Sequence, residues 1–103
     1  MIVIGSKDSR LIAAVSYLEA ALGEGLLAPE DYWEADMLAV GLANPRCPGV
    51  LAYVAVCEPD GYFVSIERPP AAGSSLPYQT VRDFECGNLD DVCWVVRDFL
   101  CMA

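Results

Sequence analysis

Residues 50–68, VLAYVAVC-EPDG-YFVSIER, decide the fold. The first run (50–57) is apolar at nearly every position, so both of its faces need cover, as in a central strand. The third (62–68) alternates: Tyr62, Val64 and Ile66 fall on one face, and Phe63, Ser65 and Glu67 on the other. EPDG between them supplies proline, aspartate and glycine for a tight reversal, which makes the pair an antiparallel hairpin.

Working outward, MLAVGLA (37–43) is another apolar run, set off from the hairpin by NPRCPG (44–49). On the other side PPAAGSSLP (69–77) is a loop, since proline and glycine deny it regular structure. YQTVRDFE (78–85) then reads as a weaker strand with many polar positions, suited to a sheet edge. MIVIG (1–5) reads as a short buried strand ended by glycine.

Two helices are expected. Leu11, Val15, Leu18 and Leu22 recur at helical spacing, with Ile12 and Ala14 beside them. Ser6, Asp8 or Ser9 can cap the start, and Gly23 or Gly25 can stop the helix in a left-handed conformation, giving roughly residues 9–23. GNLDDVCWVVRDFLCM (87–102) closes the sequence as the second helix, with Asn88 as N-cap and Asp90 and Asp91 at its positive end. Leu89, Val92, Val96, Phe99 and Leu100 form its core face. Trp94 lies about 160° around the helix from Val96, with Cys101 on the same far side. Cover by the neighbouring loop, the weaker strand or the N-terminus is the favoured expectation for that ring. Neither helix can bury itself alone. The expected architecture is therefore a single α+β domain over 1–103, an antiparallel sheet of about four to five strands with two helices packed on it.

The 103 residues are 55% apolar, enough for a packed core, and carry a net charge of -9. Residues 19–67 hold nine acids against Arg46 alone, a local balance of -8. A field of one sign repels nucleic acids and anionic membranes and attracts basic proteins. Direct nucleic-acid binding is not expected on that ground. No run approaches the roughly 18 apolar residues of a membrane span, and the opening residues lack the pattern of a secretory signal. Cys47, Cys57, Cys86, Cys93 and Cys101 are odd in number and sit mostly among apolar residues. They read as reduced thiols filling core gaps in a cytoplasmic protein.

Chemistry finds little support. With no histidine, cysteine–histidine and serine–histidine nucleophile pairs and imidazole metal sites are excluded. The cysteine intervals of 10, 29, 7 and 8 contain no CxxC, so no metal is expected. Lys7 is the only lysine, and nothing around it suggests burial or activation. GSKDSR (5–10) follows a strand and precedes a helix but lacks the spacing of a phosphate loop. Glu34 with Asp36, or Glu58 with Asp60, could form an acid–base pair, yet nothing separates their pKa values and the second pair occupies a turn. No catalytic residue and no cofactor is assigned.

Recognition remains. PEDYWEAD (29–36) sets Tyr32 and Trp33 among Glu30, Asp31, Glu34 and Asp36. Aromatic rings bury much area while ordering few torsions, and flanking acids steer a basic partner. The plainer alternative is that Trp33 caps the core while the acids are solvated. Glu58 and Asp60 complete the candidate partner-binding set.

The segment YQTVRDFECGNLDDVCWVVRDFL (78–100), closing a small acidic α+β chain, resembles bacterial immunity proteins that neutralise polymorphic or contact-dependent growth-inhibition toxins. The likeness is one of pattern, spans roughly residues 50–102, and carries no site residues across. It implies a basic toxin domain as partner, often a nuclease or another nucleic-acid-directed enzyme. A regulatory or adaptor domain using the same acidic face, and a small carboxylate-dependent or cysteine-dependent enzyme, are the alternatives.

Overall fold

The structure is a computed structural model that describes residues 4–5, 7–30, 36–47, 49–57, 61–68 and 79–100. Its elements run α1 (Ser9–Leu22), β1 (Ala28–Pro29), β2 (Ala39–Ala43), β3 (Leu51–Cys57), β4 (Gly61–Arg68), β5 (Gln79–Cys86) and α2 (Leu89–Phe99). The strands form one antiparallel sheet in the order β1-β2-β3-β4-β5, so the α+β architecture is as the patterning requires. The run VLAYVAVC supplies β3 at the centre of the sheet, and β5, QTVRDFEC, forms an edge.

Register explains why both periodicities appear. Val40, Val54, Val64 and Phe84 line up across four strands, and Leu42, Ala52, Ile66 and Arg82 make the adjacent row. These rows face the helices. Leu11, Val15, Leu18 and Leu22 from α1, Val92 and Val96 from α2 and Leu100 at its C-cap join the apolar members of these rows in one core cluster. Each such fully buried aliphatic side chain contributes roughly 1.5–3 kcal/mol. Phe84 and Phe99 meet with ring centroids 5.5 Å apart, which fastens α2 to β5.

The helix termini follow their caps. Asp8 accepts from the Arg10 N–H at 2.9 Å, and Asn88 accepts from the Asp91 N–H at 2.9 Å. Gly23 ends α1 at φ 119°, a backbone conformation that glycine adopts without the strain a side chain would bring.

Four expectations need correction. Ile4 and Gly5 lie in no strand, and Met1, Ile2 and Val3 fall outside the described residues. The extra strand is β1, a two-residue pairing of Ala28–Pro29 with Leu42–Ala43, too short to leave a periodic signal. Trp94 is 67% exposed rather than covered, because it stands opposite Val92 and Val96 and the described elements all pack on their side. Lys7 is buried: its ammonium donates to the Asp36 carbonyl at 2.7 Å and the Ala39 carbonyl at 2.8 Å, which replaces the water it gives up.

The last correction concerns the thiols. Cys47 is disulfide-bonded, whereas Cys57, Cys86 and Cys93 are free. Cys101 lies outside the described residues. Cys47 sits in the turn after β2, and Asn44 of that turn donates its amide to the Leu100 carbonyl at 2.8 Å. The turn is thereby held against the end of α2.

Candidate functional site

The face of the sheet turned away from the helices is built from the alternate residues of the same strands. One row across it is Gly41, Tyr53, Ser65 and Asp83; its neighbours are Ala39, Ala55, Phe63 and Glu85, and Ala43, Leu51, Glu67 and Thr80. Taken together, the rows are graded across the sheet. Small residues occupy β2, aromatics stand on β3 and β4, and carboxylates gather on β4 and β5. Ala39, Ala43, Leu51 and Ala55 are buried, while Thr80, Asp83 and Glu85 are exposed. The open half of the face is therefore its acidic half.

Tyr53 and Phe63 pack edge to face with centroids 6.4 Å apart, a favoured aromatic geometry that fixes both rings. They border a shallow depression of about 250 Å³ whose other walls are Ser65, Glu67, Thr80 and Asp83. Glu67 is buried and accepts from the Ser65 hydroxyl at 2.6 Å. Asp83 and Glu85 make no ion pair among the described residues. Arg82, the cation of β5, points to the opposite face, where its guanidinium stacks 5.0 Å from the Phe84 centroid. Alternation along one strand thus separates the acids from the base that precedes them in sequence.

Of the residues singled out by the sequence, Asp36 is brought to this face. Tyr53 donates to its Oδ2 at 3.1 Å, and the Leu38 N–H donates to its Oδ1 at 3.0 Å. Glu30 is half-buried beside β2, with its N–H donating to the Gly41 carbonyl at 2.9 Å. Asp31, Tyr32, Trp33, Glu34, Glu58 and Asp60 lie outside the described residues. Tyr53, Glu67, Asp83 and Glu85 were not singled out. The alternation of YFVSIER does place Glu67 beside Phe63 and Ser65 on one face, but the register with β3 and β5 is needed to assemble the rest.

A second acidic patch surrounds Trp94 on α2. Asp90, Asp91 and Asp98 stand four and three residues before it and four after it, and all three are exposed. The Tyr17 hydroxyl of α1 donates to Asp90, and that bond pushes the Tyr17 pKa above its ordinary value.

For chemistry, the described residues offer no group of three potential metal ligands. Burial raises the Cys86 and Cys93 pKa values, which holds both as neutral thiols near neutral pH. No helix among the described residues is long and apolar enough to cross a membrane. In comparisons with known proteins, the chain matches no family, no curated protein and no solved structure.

Proposed function

We propose that this protein is an acidic binding module that neutralises a cognate toxin domain by tight protein–protein association in the cytoplasm. The toxin is a basic protein, a nuclease or another enzyme directed at nucleic acid. The observation that carries the reading is the open half of the outer sheet face. There Asp83 and Glu85 stand exposed beside Tyr53 and Phe63, with no ion pair among the described residues and the strand's own arginine turned away. Aromatic anchors ringed by unsatisfied charge suit a partner of opposite sign, and that charge speeds the encounter. The pattern-level likeness of residues 50–102 to toxin-neutralising immunity proteins points the same way.

The function is binding without catalysis. Cys47 is oxidised, Cys86 and Cys93 are held neutral by burial, and the carboxylate of Asp36 is engaged by Tyr53 and Leu38. The experiment is co-purification from the native host, followed by co-expression of each captured basic protein in a toxicity assay. Rescue of growth by this chain supports the reading. Capture of a non-toxic basic partner would favour an adaptor role through the same acidic face.

A further inference from the structure

Strand β5 offers more than side chains. It ends the sheet, its residues Gln79–Asp83 and Glu85 are exposed, and β4 pairs with only one of its sides. Among the described residues no other backbone group bonds to Gln79–Cys86. The opposite edge is different, since β1 spans two residues and one is Pro29, which has no N–H to offer. Long open edges are templates for a further strand, and natural proteins restrict what may add there through charge.

The side chains of β5 determine what can add. From Arg82 to Cys86 the register with β4 is regular, and the irregularity lies before it, at Val81. A second copy of β5 would have to pair antiparallel about a two-fold axis. Centred on Arg82, Asp83 or Glu85, that axis sets the residue against itself; centred on Phe84, it sets Asp83 against Glu85. Each of these registers puts like charges directly opposite, which is destabilising. Centred anywhere from Arg82 to Glu85, self-pairing is therefore disfavoured.

A different strand meets none of these conflicts if its charges are complementary. Opposite Asp83 and Glu85, two residues apart on the outer face, lysine or arginine fits. Opposite Phe84, on the helix-facing side, an apolar residue continues the core layer. We infer that β5 is the docking edge for the basic partner, which adds to the sheet as an extended segment with basic residues at alternate positions and apolar residues between them. This rests on the reading of a basic partner and deepens it: main-chain bonds supply affinity, and the Asp83–Glu85 pair supplies register and choice of ligand.

The probe is a synthetic peptide of about eight residues, a typical strand length, alternating lysine and valine, with a glutamate–valine peptide as control. Binding of the lysine peptide should slow hydrogen exchange by about tenfold or more at every second amide of β5, since alternate N–H groups point outward. The variant Asp83→Lys/Glu85→Lys changes two exposed residues and leaves the core intact. It should lose the lysine peptide by about tenfold or more and gain the glutamate peptide. Binding of the lysine peptide with unchanged β5 exchange would overturn the edge proposal while leaving the acidic-module reading in place. Absence of any peptide binding would also overturn it, and the toxicity assay would then decide the wider reading separately.

Discussion

Tyr53 donates its hydroxyl to Asp36 Oδ2 across 3.1 Å, tying the end of the acidic stretch 29–36 to the centre of the sheet. The same carboxylate accepts from the Leu38 N–H, so Asp36 fixes the entry to β2 as well as placing charge on the outer face. Tyr53→Phe is expected to cost about 1 kcal/mol, at the lower end for a bond to a charged acceptor because the site is partly exposed. Asp36→Ala removes both bonds and is expected to cost about 2 kcal/mol. Urea denaturation measures both. A neutral effect of Asp36→Ala would show that the carboxylate serves binding alone.

Trp94→Ala is expected to change stability by less than about 0.5 kcal/mol, as for surface sites generally, since the ring is 67% exposed. If the aspartates around it make this patch a partner anchor, affinity for the captured partner should fall by about 2 kcal/mol or more. A loss of several kcal/mol in the melting experiment would instead mean that the ring is covered.

The oxidation state of the thiols bears on compartment. Alkylation of denatured, unreduced protein should label Cys57, Cys86 and Cys93 and spare Cys47, with mass spectrometry as the readout. Reduction should then lower stability by about 2–4 kcal/mol. A disulfide is uncommon in a reducing cytoplasm. Full labelling of protein taken directly from the cytoplasm would place Cys47 in its reduced state there.

Alkaline pH should destabilise the fold. Burial raises the thiol pKa of Cys86 and Cys93 above the ordinary value of 9.0, and the bond to Asp90 raises that of Tyr17. In each case the unfolded chain releases the proton first. Their contribution is therefore complete below the unfolded value and is lost as pH rises from there through the folded value. A melting temperature that holds steady to pH 8 and falls above pH 9 is expected, and Cys86→Ala/Cys93→Ala should reduce the slope.

Association with the basic partner should slow clearly as salt rises, because screening over about 8 Å at physiological ionic strength cuts off steering. Dissociation should change less. Asp83→Asn/Glu85→Gln and Asp31→Asn/Glu34→Gln, compared in stopped-flow, rank the two acidic regions by their effect on association rate. A rate independent of salt would remove charge as the basis of recognition.

Much of this architecture was legible from local pattern. An all-apolar VLAYVAVC requires a central place, the alternation of YFVSIER requires one helix-facing side, and the 100° spacing on α2 by itself separates Trp94 from Val96. What was not legible depends on contacts distant in sequence. The outer face combines Asp36, Tyr53, Glu67 and Asp83, which only the strand register brings together. Burial of Lys7 follows from two carbonyls about thirty residues away, at Asp36 and Ala39, and no property of the flanking SKDSR announces them. Cover for Trp94 by the neighbouring loop, the favoured expectation, is not found: exposed aromatic rings are common, and the described elements lie on the other side of α2.

The clamp formed by Lys7 has a practical outcome. The only lysine of the sequence is buried with its ammonium held by two backbone oxygens. Reagents that acylate amines will find no accessible side chain on the folded protein, and enzymes that conjugate modifiers to lysine will find none either. Coupling through a terminal amine then gives single-point attachment to a sensor surface or a dye, with every carboxylate of the acidic face left as it is. Such a preparation permits the partner to be sought by immobilised capture without labelling chemistry disturbing the surface under test.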